Sequence, residues 1–256
     1  MPTYVWVLVF LGVTGMPAAT AAGLYRGARA TGLGRPTATT VAVVAGAAWA
    51  LWLAGAAVLA RSGLYREEPG AVNPWIAVVF AAVLTVTLLA TRIPVVARIL
   101  ADPSAPRRLA WPHVLRVAGA VFLIALALGR LPAVFAVPAA LGDIAVGVAA
   151  VFVARNPGRR RAAMWFNVAG ILDLVVAVTI GFLAGLGPSP VLDVTPSTDV
   201  LATLPLVLIP TSAVPLAIAL HIVSLRRLRA AARLSPAAAR RPVTAAVPSG
   251  LSGGTG

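Results

Sequence analysis

What most constrains this chain is a recurrence: apolar stretches of about 20 residues follow one another, separated by short segments that hold most of the charge. A helix needs about 20 mostly apolar residues to cross a hydrocarbon core of about 30 Å. Seven stretches meet that length, roughly 4–23, 38–60, 73–91, 111–131, 134–154, 162–184 and 200–225. The first three hold no formal charge. The fourth carries His113, Arg116 and Arg130 towards its ends, the fifth Asp143, the sixth Asp173, and the seventh His221 with three prolines. Demoting the fourth would give six spans but would break the charge pattern described below. Composition points the same way: 60% of the 256 residues are hydrophobic and 11% charged, where a soluble domain carries about 25% charged. The expected fold is therefore an all-α polytopic transmembrane bundle over 1–229. It is followed by a tail, 230–256, of Ala, Arg, Pro, Ser and Gly that is expected to be disordered.

Arginine placement sets the expected orientation, because cytoplasmic loops collect basic residues. All 21 basic residues are Arg. With the N-terminus outside, 18 of them, Arg116 included, fall in cytoplasmic segments, against Arg61, Arg66 and Arg130 outside. The outer segments also collect Glu67, Glu68, Asp193 and Asp199. Tyr4, Trp6 and Trp75 then lie at the outer boundary, and Tyr25, Trp111 and Trp165 at the inner one, as interfacial aromatics do. The expectation is seven spans, N-out and C-in, in the cell membrane. No basic residue precedes the first apolar run, so that run is expected to be a span rather than a cleaved leader. The net charge of +14 is topological and gives no argument for nucleic acid. Arg226, Arg227, Arg229 and Arg233 are expected to hold anionic lipid headgroups, at about 1 kcal/mol per Arg.

Several chemistries are absent by residue type. With no Cys there are no disulfides, iron–sulfur clusters or thiolate metal sites, and with no Lys there is no Schiff base. No Walker A loop, HExxH, Gly-x-Ser-x-Gly or Rossmann fingerprint occurs. No catalytic residue, metal or cofactor is expected.

What remains are ionisable residues inside apolar stretches, which are costly there and so mark candidate sites. Asp143 lies 12 residues before Arg155, and Asp173 lies 12 residues after Arg161. At 1.5 Å per residue, both carboxyls sit about 18 Å from the same boundary, near the midplane, on consecutive antiparallel helices. Facing each other, they would share a proton. That suits proton or cation relay, or binding of a cationic substrate; alternatively the acids pin the bundle. Asn167, His221 and His113 form a second polar layer, about 7–9 Å deep by the same rise. The two histidines raise bis-His haem ligation as an alternative, without a supporting motif.

The seventh stretch carries Pro205, Pro210 and Pro215, with Thr211 and Ser212 between the last two. Proline removes backbone hydrogen bonds, and nearby hydroxyls can satisfy the freed carbonyls. Such a stretch reads as a kinked packing helix or as the broken helix of a transporter. Gly181 and Gly185 read as a small-residue helix contact, and Trp49 and Trp52 as packing aromatics on one face.

Three segments carry a resemblance: Phe135-Ala-Val-Pro-Ala-Ala-Leu-Gly-Asp143, Trp165-Phe-Asn-Val-Ala-Gly-Ile-Leu-Asp173, and Leu204-Pro-Leu-Val-Leu-Ile-Pro-Thr-Ser-Ala-Val-Pro215 through His221. Over 132–229 the chain resembles an uncharacterised family of bacterial polytopic membrane proteins. The resemblance implies an integral membrane protein and no particular activity. The leading functional expectation is a small proton- or ion-coupled transporter or permease. The alternatives are a non-catalytic membrane subunit or interaction partner, homo-oligomers through small-residue faces included, and a haem-binding or membrane enzyme using His113 and His221.

Overall fold

The computed structural model describes residues 1–66, 73–186 and 191–239, and these are all-helical with no strand. In hydrocarbon no water satisfies backbone N–H and C=O groups, so a helix, which pairs them internally, is the form open to each apolar stretch. The helices are α1 Thr3–Ala30, α2 Arg35–Arg61, α3 Trp75–Ala90, α4 Pro94–Ala101, α5 Ala105–Ala110, α6 Val121–Ala127, α7 Ala133–Arg155, α8 Arg160–Gly181 and α9 Val214–Ala239. A 3₁₀ segment, Trp111–Ala120, joins α5 to α6 into one continuous helical run.

Among the described residues, six helices or helical runs are long and apolar enough to cross a membrane, and up to seven if the α3–α4 pair counts as one. That pair bends by 76°. Proline disfavours the α conformation in the residue before it, and Ile93, ahead of Pro94, sits at φ −57°, ψ 128°.

Three sequence expectations need correction here. The fourth apolar stretch was placed at 111–131 with Arg116 counted to the cytoplasm, but the helical run is Ala105–Ala127 and Arg116 is buried inside it. The seventh was placed at 200–225, but continuous helix starts only at a π turn, Ile209–Ala213. Helix also covers the first part of the segment expected to be disordered, since α9 runs on to Ala239; the rest, 240–256, lies outside the described residues, as do Glu67 and Glu68.

Small residues let the helices approach closely, as in membrane bundles generally. A Cβ at Gly147 of α7 would lie 2.7 Å from Val117 Cγ1 and 3.0 Å from the Val117 nitrogen of the 3₁₀ segment. Val5, Val9 and Val13 form one stripe of α1 and pack into a core with Phe122, Phe135 and the buried run Leu206–Leu208. That run precedes the π turn and is folded into turns whose backbone bonds close locally, such as Val207 N–H to Thr203 O at 2.9 Å. Non-helical backbone survives at such depth only where protein covers it, and Leu206 and Val207 are fully buried.

Gly181 and Gly185 do not act as a matched pair of helix contacts. Gly185 lies past α8 at φ +145°, where a Cβ would meet Ser197, Thr198 and Asp199. Thr198 donates its hydroxyl to the Gly181 carbonyl at 2.7 Å, so this pair of glycines seats the returning loop on the end of α8.

Candidate functional site: a guanidinium between two carboxylates

The 3₁₀ segment is ten residues long, well beyond the usual three or four. Its effect follows from geometry: with three residues per turn, side chains at i and i+3 eclipse. His113, Arg116 and Gly119 therefore stand in one row, where an α-helix would splay them round the axis.

Arg116, in the middle of that row, is 4% exposed. Its Nε donates to Asp143 Oδ1 on α7 at 2.7 Å, and its Nη2 donates to Asp173 Oδ2 on α8. One guanidinium thus ties three helical elements together. The two acids do not form a bare pair: an arginine bridges them.

Glycines make the room. A Cβ at Gly119 would overlap the Asp143 carboxylate, and one at Gly142 would overlap that of Asp173. On α8, a Cβ at Gly170 would overlap the His221 ring.

The two polar layers read from the sequence are connected through Arg116. Its Nη1 lies 3.4 Å from His221 Nε2, and His221 Nδ1 lies 3.0 Å from Asn167 Oδ1. Arg and an amide oxygen each have one role here, donor and acceptor. His221 is accordingly read as the neutral tautomer, Nε2 accepting and Nδ1–H donating. Asn167 Nδ2 in turn donates to Ser224 Oγ at 3.0 Å and to Ala163 O at 2.6 Å. A hydrogen-bonded chain runs from the acids through Arg116, His221 and Asn167 to Ser224, two residues before the basic cluster that starts at Arg226.

His113 joins by stacking. Its ring lies 3.8 Å from that of His221, nearly parallel at 21°, with Phe166 edge-on to both. Both His113 nitrogens are buried without a hydrogen-bond partner. Axial haem ligands must face each other across an iron, and rings in face-to-face contact leave no room for a macrocycle between them. Among the described residues no group of three or more His, Asp or Glu could hold a metal ion.

Two cavities flank the cluster, each offering about 50 Å³ to water centres, room for a few waters. The first lies against α1 and is lined by Arg116, Asp143, Gly12 and Met16. The second lies against α3 and is lined by Asp143, Asp173 and four phenylalanines: Phe80, Phe122, Phe135 and Phe182. The acid side chains are each 16% exposed, the Arg116 side chain 3%.

The proline-rich stretch is satisfied from outside. Pro215 cannot donate to the Thr211 carbonyl four residues back; instead the Trp52 indole of α2 donates to Thr211 O at 3.2 Å and Ser212 Oγ at 3.1 Å. Pro210 opens the π turn, Pro205 lies in the buried turns before it, and Thr211 Oγ1 donates to Val207 O. Of the basic cluster, Arg226, Arg229 and Arg233 are exposed, while Arg227 reaches the Ala97 carbonyl at 3.5 Å.

Residues 73–229 match a family described as a domain of unknown function (DUF8737). The chain belongs to that family. The match runs from just before α3 into α9 and so contains Arg116, both acids, Asn167 and both histidines, while α1 and α2 lie outside it. No curated protein and no solved structure matches the chain.

Arg116 is the residue sequence reasoning misplaced. The signal was there: a lone arginine eight residues beyond Arg108 inside an apolar stretch, in a chain with two acids in other apolar stretches that need a counter-ion. Its i±3 relation to His113 and Gly119 stacks all three in one line only if the segment is 3₁₀, and nothing local announces that.

Proposed function

We propose that this is a multi-pass cell-membrane protein of seven spans, with the α3–α4 pair as the bent one, N-terminus outside and C-terminus inside, and that it moves protons or small ions through the Arg116–Asp143–Asp173 cluster. Moving Arg116 into the bundle leaves 17 Arg on the cytoplasmic side against three outside, so the charge bias survives the correction. Reporter fusions after Arg160 and Arg233 should read cytoplasm, and fusions after Arg66 and Asp193 should read outside; any reversal ends the topology.

The observation that carries the transport reading is the continuous chain from the acids through Arg116, His221 and Asn167 to Ser224. Buried charged groups in hydrocarbon are characteristic of proton and ion pathways. His221 is the member that can relay a proton between two ring nitrogens, taking it at Nε2 and giving it up from Nδ1. The cavities hold a few waters or a solute of that combined size, which favours protons and small cations over bulky solutes. In proteoliposomes with an imposed pH gradient, the chain should dissipate the gradient faster than empty vesicles, and Asp143→Asn or Asp173→Asn should abolish the difference. A folded wild-type chain with no flux above background would sink the reading.

A second reading, a non-catalytic membrane subunit, draws on α2. Only Ala38, Ala56 and Ala60 of that helix are buried, while Val43, Val44, Leu51 and Val58 are exposed and nothing lies within 4 Å of a Cβ at Gly46 or Gly55. A partner helix there would compete with lipid. Crosslinking through single Cys residues at Leu51 and Val58 in native membranes separates a partner-bound α2 from a lipid-facing one.

A further inference from the structure

The charge of the cluster does not close. One guanidinium stands against two carboxylates, so with both acids ionised the group carries one net negative charge in a low-dielectric interior. Leaving such a charge unpaired is strongly destabilising. The titratable and charged groups around it are few. Arg116 comes from the 3₁₀ segment, His221 from α9 with His113 stacked behind it, Asp143 from α7 and Asp173 from α8. On the walls of the two cavities, α1 contributes Leu8, Val9, Gly12, Val13 and Met16, and α3 contributes Ile76 and Phe80, none of them titratable. Neither neutral histidine supplies the missing positive charge.

The two cavities are not equivalent with respect to that deficit. Arg116 lines the first and is absent from the second. Both carboxylates line the second, which has no cationic side chain and has the rings of Phe80, Phe122, Phe135 and Phe182 in its walls. Two carboxylates alone would not make a site. Here they close one end of an apolar, ring-lined cavity, and their opposite side already holds a planar cation through directed hydrogen bonds. A cation over an aromatic face is attracted by the ring quadrupole, more strongly as water is excluded, and aromatic walls are a common means of holding ammonium groups.

We propose that the cavity between α3, α7 and α8 binds a small organic ammonium ion, which takes the place of the proton that otherwise neutralises the Arg116–Asp143–Asp173 cluster. This inference rests on the proton-handling reading of the same cluster and names its substrate class. Binding is an exchange: the cation enters from the Phe-lined side, one carboxyl releases a proton to water, and the cluster returns to neutrality. No bond other than O–H is made or broken. Exchange of this kind couples proton movement in one direction to cation movement in the other, because the acids cannot hold both at once.

The full-length chain in detergent, titrated calorimetrically with tetramethylammonium chloride at pH 6 and pH 8.5, tests this. Repeating the titration in two buffers of different ionisation enthalpy reads the protons released. The expected result is saturable binding at least tenfold tighter at pH 8.5, release of close to one proton at the lower pH, and no binding of neutral tert-butanol. Asp173→Asn should weaken binding at least tenfold. Because that variant also disturbs Arg116, Ala177→Leu is the second arm: Ala177 lines the same cavity and is itself uncharged. It should abolish binding while the thermal transition stays in place. No binding by the folded chain, equal binding of the neutral molecule, or an affinity indifferent to pH would each overturn the proposal. Flux in proteoliposomes that needs both acids, without cation binding, removes the substrate class and keeps the proton path; cation binding without any flux does the reverse.

Discussion

Arg116 Nε meets Asp143 Oδ1 at 2.7 Å across the interface between the 3₁₀ segment and α7. The contact is as much a feature of the fold as of the site, because breaking a buried pair leaves an uncompensated charge. Replacing Arg116 by Met should destabilise the protein by about 3–5 kcal/mol, the usual cost of removing one partner of a buried pair. The triple variant Arg116→Met, Asp143→Asn, Asp173→Asn should recover most of that stability, since no charge is left to solvate. It should nevertheless carry no proton flux. Thermal unfolding in detergent beside flux in proteoliposomes reads both quantities. A triple variant as unstable as the single one would mean that the arginine packs rather than compensates charge.

The glycines at the cluster give a prediction of opposite sign to the ordinary one. Gly→Ala inside a helix normally stabilises by about 0.5–1 kcal/mol. At Gly142 and Gly119 the new methyl would overlap the Asp173 and Asp143 carboxylates, so Gly142→Ala and Gly119→Ala should lower the thermal transition and impair flux. Gly46→Ala on α2, where the methyl meets nothing, should raise the transition or leave it unchanged. Equal shifts at all three positions would remove the claim that these glycines exist to admit the acids.

Trp52 and Trp49 provide a matched contrast on one helix. The Trp52 indole caps the carbonyl that Pro215 leaves free, whereas the Trp49 indole nitrogen is buried without a partner. Trp52→Phe should cost about 1–3 kcal/mol, the penalty for stranding a buried acceptor. Trp49→Phe keeps most of the ring area and strands nothing, so it should cost less or even stabilise. Denaturation midpoints of the two single variants decide it, and the reverse order would mean that ring packing outweighs the bond.

How much of this was legible in the sequence depends on what kind of information each feature uses. The long apolar helices and the all-helical class follow from hydrophobic length, because stretches of about 20 apolar residues are what a bilayer's thickness selects. The acids at matched spacing from Arg155 and Arg161 were legible for the same reason: helical rise converts sequence distance into depth. Arg116 was not, because its role depends on rotation as well as depth. The 3₁₀ segment that aligns it with His113 and Gly119 packs against α7 at Gly147, whose contacts Val117 and Val114 lie 30 and 33 residues away, so no local signal announces it. Trp52 was read as a packing ring because its partner, the Thr211 carbonyl, lies 159 residues on. The start of the last helix was misread because apolar content says nothing about whether Leu206–Leu208 coil or turn.

A last prediction concerns the turn between α4 and α5, outside the spanning segments. Asp102 there accepts from Arg108 Nη1 at 2.9 Å and from the Ser104 amide at 2.9 Å and hydroxyl at 2.5 Å. Burial works against ionisation of this carboxyl, but the bonds from Ser104 and Arg108 outweigh it and hold its pKa below the ordinary aspartate value. A folded-state pKa below the unfolded one stabilises the fold at pH values above the unfolded pKa, and that stabilisation is lost as pH falls through the folded pKa. The Arg108 side chain also lies against Gly27 of α1 and reaches the Ile99 carbonyl, so the clamp ties α1, α4 and α5 together. Asp102→Asn should lower the thermal transition at pH 7 and flatten its decline on the acid side, and the two proteins should converge at the lowest pH reached. Parallel curves for wild type and Asp102→Asn from pH 7 down to pH 3 would mean that Asp102 contributes nothing through its charge.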